Sequence, residues 1–182
     1  MRYRGFNLTA LWLLIGINLL LFIATSIKPD LVPILGLQPA GFLDRPWAIV
    51  TNLFIHANIW HILGNMLTLY FFGSSLCRLI GTRNFLITYF GGGILGNILY
   101  LLLGSSYSVV IGASGAIYAV AGALVVMIPN LRVLVYFIVP MPLWVVVLFF
   151  FCSLVFYAWR RLAGSSWRAG LWSGYGILFQ AK

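Results

Sequence analysis

Long apolar runs separated by short polar clusters dominate this chain, and the lengths of the runs predict membrane spans. A helix that crosses the hydrocarbon core needs about 20 largely apolar residues. Five stretches meet that length: residues 8–27, 58–77, 84–103, 112–129 and 133–157. The fifth contains Pro140 and Pro142, so it reads either as a kinked helix or as a short interfacial piece followed by a span. The expected fold class is all-α, a polytopic membrane helix bundle with five clear spans. The first run has an apolar core longer than the about 7–15 residues of a secretory leader, and no clean small-residue cleavage site follows it, so it is expected to be a retained span. Segment 28–57 is too long for a plain turn; it holds Pro29, Pro33, Pro39, Pro46 and Trp47 and is expected to pack partly into the outer interface.

Composition sharpens this picture. Hydrophobic residues make up 63% of the chain and charged residues 7%, against about 25% charged in soluble domains. The net charge of +9 comes from basic residues scattered between apolar runs. They therefore read as topology marks and not as a nucleic-acid footprint. Arg2 and Arg4, Arg78 and Arg83, and Arg132 occupy alternate loops, which share one side. That side is expected to be the cytoplasm of a plasma or inner membrane, with the N-terminus cytoplasmic. Segment 28–57 and the uncharged loop 104–111 then lie outside. The two acidic residues, Asp30 and Asp44, sit together in segment 28–57. Paired-carboxylate chemistry and a buried Ser-His-Asp triad are thereby excluded from the spans. Cys77 and Cys152 are too few and too far apart for a metal framework, so no metal or cofactor is expected.

Two polar clusters break the apolar pattern. HANIWHILGN opens the second span with His56, His61 and Asn65, and Gly112-Ala113-Ser114-Gly115 opens the fourth. The topology puts both at similar depth in the outer leaflet. His61 and Asn65, four apart, share a helix face. Ser114 lies at a helix start, where free N–H groups and the positive end of the dipole suit an oxyanion. Gly112 and Gly115 permit a tight backbone there. Tyr118 follows Ser114 by one turn, on its face. Plainer readings exist for each residue taken singly. GxSG fits a small-residue packing motif with an N-capping serine, His61 and Asn65 fit a polar pair that glues helices, Tyr118 fits a core tyrosine, and His56 fits a loop-stabilising group. Ionisable residues within a membrane lean towards function. Gly91, Gly92, Gly93 and Gly96 in the third span, and Gly112, Gly115 and Gly122 in the fourth, suggest close helix contact, with Gly92 and Gly96 as a small-xxx-small pair.

Taken together and in order, HANIWHILGN and GASGAIYA resemble the rhomboid family of intramembrane serine proteases, over residues from about 8 to 158. The resemblance implies that Ser114 is the nucleophile. It implies that His61 and Asn65, with the Ser114 backbone N–H, form the oxyanion site, that Tyr118 supports the general-base histidine, and that Gly112 shapes the turn. It also implies single-span membrane protein substrates with a locally unstable helix, and the lipid bilayer as setting. The family often carries Trp-Arg before the second span; here the pair is Trp47-Ala48.

The same resemblance expects a histidine in a sixth span, followed closely by glycine-type residues. The chain has two histidines, His56 and His61, both in the second-span cluster. No general base is found among the 182 residues. Residues 159–182 read as an aberrant tail without a clean apolar span, in which Arg160 and Arg161 fall on the outer side against the orientation rule. Residues 1–158 are expected to form the rhomboid-like domain. Back-translating residues 156–182 with suitable synonymous codons, starting one nucleotide later, gives STPGVAWQAHLGGLVCGRAMAFFFRR. This string has an apolar stretch and a histidine followed by glycines, and the histidine codon overlaps Ser165 and Ser166. The tail is therefore expected to be frameshifted, and the encoded chain to be a severely impaired intramembrane serine endopeptidase. The rival expectation is a non-catalytic rhomboid-like binder of membrane helices.

Overall fold

A computed structural model of the chain describes residues 8–135, 139–149, 151–153 and 155–156. Arg2 and Arg4, and the tail 159–182 with Ser165 and Ser166, lie outside the described residues. The chain divides after Leu131 into two compact units, 1–131 and 132–182.

In the first unit α1 (Thr9–Ile27) buries Leu11, Leu14, Ile15, Asn18 and Thr25. These fall on one face at three- and four-residue spacing, while Trp12, Leu13, Leu20 and Ile23 remain exposed. Two polar residues are tolerated in the buried stripe because they bond back to the helix. Asn18 Nδ2 donates to the Leu14 carbonyl at 2.7 Å, and Thr25 Oγ1 to that of Leu21 at 2.9 Å.

The next long helix, α4 (Ile59–Leu103), counts 45 residues, but Gly81 interrupts it with φ 80° and ψ 163°. Such a φ favours glycine, which has no Cβ to clash. The interruption is a reversal. A Cβ on Gly73 would stand 3.2 Å from Phe85 Cε2, whereas twelve residues in a straight helix are about 18 Å apart. The two arms, 59–80 and 82–103, therefore pack side by side. Leu11 of α1 fills the space that Gly73 leaves, 2.8 Å from where its Cβ would be.

The segment between α1 and α4 is folded. It contains α2 (Leu31–Leu35), a 3-10 turn at Pro39–Gly41, α3 (Ala48–Thr51) and a second 3-10 turn at Asn52–Phe54. It is tied to loop 104–111 by an antiparallel bridge between Leu37 and Val110, and by Ala40 N–H donating to the Ser106 carbonyl at 2.9 Å. These two segments thus lie at the same end of the helices. Arg45 holds the segment from within, its guanidinium donating to the Pro33 carbonyl and to Gln38 Oε1. Trp47 Nε1 donates to the Ile34 carbonyl at 3.1 Å.

The next helix, α5 (Ser114–Met127), has 14 residues and packs on the second arm of α4. A Cβ on Gly92 would run into the Ala119 Cβ, and one on Gly93 would come within 2.9 Å of Leu53 Cδ1 and 3.1 Å of the Ala116 Cβ. Close approach is thus bought by Gly92 and Gly93. Gly91, Gly96, Gly115 and Gly122 have nothing within 4 Å of an added Cβ, which corrects the small-xxx-small reading of Gly92 with Gly96.

The second unit departs from the all-α expectation. Where the fifth span was expected to begin, β1 (Arg132–Val135) pairs antiparallel with β2 (Val139–Pro142), in a register that sets Val133 opposite Met141. Pro140 and Pro142 cannot donate the backbone hydrogen bonds of a helix interior, and Val133, Val135 and Val139 favour extended backbone. Of the two sequence alternatives, the short non-helical piece precedes a helix that starts at Leu143. By length and apolarity, α1 and α4 are the helices among the described residues able to cross a membrane, with Ser114–Met127 and Leu143–Ser153 shorter. Five separate span-length helices are therefore not found among the described residues.

Candidate active site

The site forms where α4 and α5 begin side by side. Asn58 caps α4, its Oδ1 accepting from His61 N–H at 2.9 Å. The cap fixes the first turn and, with it, the His61 ring. His61 Nδ1 accepts from Ala57 N–H at 3.4 Å. A neutral imidazole that accepts at Nδ1 carries its proton on Nε2. Nε2 is directed at Gly112: a Cβ on that glycine would lie 2.7 Å from it and 3.8 Å from Asn65 Nδ2. Asn65, one turn further along α4, is buried, and its Nδ2 has no hydrogen-bond partner among the described residues. Two side-chain N–H donors thus converge on one backbone segment.

Gly112 adopts φ +119°, a conformation side-chain-bearing residues rarely take. Both its backbone angle and the space around it require glycine. Ala113 then caps α5, and Ser114 is its first residue. Ser114 is therefore not the N-cap of this helix. Its Cα lies within about 7.6 Å of that of Gly112, two trans peptides away. The first N–H groups of any helix lack intrahelical acceptors, so α5 adds backbone donors beside the side-chain pair. Ser114 is partly exposed, and so is Tyr118 one turn later. Gly115 is exposed, with nothing near an added Cβ.

His56 completes the cluster. It is 3% exposed, and its ring meets that of His61 edge-on at 4.9 Å between centroids. Burial, and secondarily the neighbouring His61, lower its pKa from 6.5 to about 4. His56 is therefore neutral near pH 7. The Phe54 backbone partly opposes the shift, but neither ring nitrogen makes a well-formed hydrogen bond among the described residues.

The structure thus brings His56, His61, Asn65 and Gly112 together and sets Ser114 and Tyr118 along the adjoining helix. Sequence reasoning missed four contributors: Asn58, the buried pair Asn52 and Asn97, and Arg45. The cap could have been suspected from an Asn just before an apolar helix; the Asn pair, 45 residues apart, left no local signal. Arg45 braces segment 28–57 from within through the Pro33 carbonyl and Gln38 Oε1.

A cluster of paired donors beside a helix-start serine is an arrangement that can hold a tetrahedral oxyanion. A family model described as Rhomboid domain matches residues 43–179. The chain is 35% identical over 82 residues to a putative rhomboid protease, YdcA, of Bacillus subtilis, covering 45% of this chain and 41% of that protein. It is 34% identical over 104 residues to the mitochondrial Rhomboid protein 1 of Saccharomyces cerevisiae, covering 52% and 29%. It is 35% identical over 86 residues to Rhomboid-like protease 3 of Toxoplasma gondii, covering 47% and 32%. The chain thus spans less than half the length of each of these relatives.

Proposed function

This chain belongs to the rhomboid family, and from that premise we propose that it is the scaffold of an intramembrane serine endopeptidase, impaired as encoded. Membership makes it an integral membrane protein; the site is proposed to face the outer side, with the N-terminus cytoplasmic. The substrates proposed are single-span membrane proteins whose helices unwind readily.

One observation carries the reading: His61 Nε2 and Asn65 Nδ2 converge on Gly112, two residues before Ser114. In the proposed reaction Ser114 Oγ attacks the scissile carbonyl carbon and gives up its proton to a base. The carbonyl oxygen becomes an oxyanion held by His61, Asn65 and the Ser114 N–H. Collapse breaks the C–N bond, the leaving amine takes the proton, and water later hydrolyses the acyl-serine. Tyr118 would support the imidazole that serves as base. His61 is a poor candidate for that base, since its Nε2 already carries the proton it donates towards the oxyanion and would have to be bare to accept another. His56 is buried edge-on against His61, so in the proposed scheme neither histidine of this sequence takes the proton, and loss of one such group costs several orders of magnitude in rate.

The frame-shifted reading of residues 156–182 would restore a histidine, and the codons of Ser165 and Ser166 test it. If they do not spell histidine one nucleotide on, that part of the proposal is refuted. A fluorophosphonate probe tests the nucleophile: labelling at Ser114, lost in Ser114→Ala, supports it. Cleavage of a model transmembrane substrate at ordinary rates would refute the impairment. The same placement of both histidines favours a second reading, a rhomboid-like binder that holds membrane helices without cutting them. It predicts substrate-helix capture with no probe labelling.

A further inference from the structure

A second polar cluster lies behind the donor pair. Asn52 is 1% exposed and Asn97 is 6% exposed. Asn52 Nδ2 donates to Asn97 Oδ1 at 3.0 Å, and Asn97 Nδ2 returns a bond to Asn52 Oδ1 at 2.8 Å. Asn97 Nδ2 also donates to the Ile49 carbonyl at 2.7 Å. This cyclic amide pair joins the α3 region to the second arm of α4. The backbone of Asn52 then reaches the site, where its carbonyl accepts from Gly112 N–H at 2.8 Å and from Ile55 N–H at 3.3 Å.

We propose that the Asn52–Asn97 pair is a positioning device that sets the Gly112 turn against His61 and Asn65. Gly112 cannot hold its own place. Its φ of +119° lies outside the regular helix and strand regions, and it precedes the helix whose ladder could anchor it. Its N–H is anchored to Asn52, and the orientation of the Asn52 carbonyl is fixed by the side-chain amide locked to Asn97. Four residues from three chain segments thus decide where the backbone before Ser114 lies. Buried polar networks of this kind hold their geometry only while every member is satisfied. The catalytic meaning of the device rests on the proposed function; its geometry does not.

The test is amide hydrogen exchange of the full chain in detergent micelles, read as protection factors. Asn97→Ala is expected to lower Gly112 protection at least tenfold while the amides of α5 from Ile117 to Leu124 keep theirs. Asn52→Asp supplies a second, reversible variant. Protonated, its carboxyl can form the same two-bond ring with the Asn97 amide; ionised, it repels Asn97 Oδ1. Gly112 protection in this variant should match wild type at low pH and fall as pH rises, with wild type measured at each pH to subtract the titration of His61, which faces Gly112, and of His56 beside it. Unchanged Gly112 protection in both variants, or loss spread equally over α5, would overturn the proposal. Fluorophosphonate labelling of Ser114 in the wild-type chain reports separately on the functional reading. No labelling even on prolonged exposure, where a serine without its base still reacts slowly, with a responsive Gly112 sinks that reading alone.

Discussion

Gly112→Ala is the substitution that most severely strains the site. Two costs follow from its geometry. A side-chain-bearing residue at φ +119° carries backbone strain of about 1–3 kcal/mol. The new Cβ would stand 2.7 Å from His61 Nε2 and 2.9 Å from Cε1. Relieving that overlap means moving a ring held by the Ala57 N–H and by the capped first turn, at about 1–3 kcal/mol for an overpacked site. The sum is a destabilisation of about 2–6 kcal/mol. Equilibrium unfolding in mixed micelles measures it. Gly91→Ala is the control, since an added Cβ there meets nothing within 4 Å; the removal of a helical glycine should leave stability equal or raise it by up to about 1 kcal/mol. The side-chain 15N signals of His61 and Asn65 should shift in Gly112→Ala and stay in Gly91→Ala. If Gly112→Ala unfolds like wild type and leaves both signals in place, the turn does not sit under the two donors.

Other expectations separate the remaining contacts. Gly92→Ala should loosen the packing of α4 on α5 and lower stability by about 1–3 kcal/mol, whereas Gly96→Ala, one turn along with open space around it, should cost nothing; equal effects would count against the assigned contact. Because the pKa of His56 falls from 6.5 to about 4 on folding, the unfolded chain binds the extra proton between those values. Stability should therefore drop as pH is lowered from 6.5 towards 4, and His56→Phe should flatten that slope in unfolding titrations. Arg45→Ala should speed hydrogen exchange around Leu35 to Gly41 with a stability loss of about 1 kcal/mol, from lost bonds to Pro33 and Gln38; unaltered exchange there would show that Arg45 does not brace this segment.

Apolar run length made α1 and the two arms of α4 legible, because a helix in lipid must satisfy its backbone internally and be apolar throughout. The spacing of His61 and Asn65 showed a shared face for the same geometric reason. The order of loops also put the starts of α4 and α5 at one end, where the Gly112–His61 contact is found. Other features depend on partners that periodicity does not name. Gly92 and Gly96 look alike in sequence, yet only Gly92 meets Ala119. Asn52 and Asn97 find each other through tertiary packing. The strand pair at 132–142 was masked by an apolar composition that suits helix and strand alike, and Pro140 and Pro142 were the local signal against a continuous helix. Ser114 could be read as a cap from its neighbours; the structure gives that position to Ala113.

The proposed oxyanion site exists only if two donor side chains of α4 reach the backbone turn that precedes Ser114. Magic-angle-spinning NMR of the chain in lipid, labelled with 15N on histidine and asparagine side chains and 13C on glycine, measures this directly. Dipolar transfer from His61 Nε2 and from Asn65 Nδ2 to Gly112 Cα, absent in His61→Gln and Asn65→Leu respectively, is the predicted result. A map in which neither nitrogen transfers to Gly112 would contradict the account.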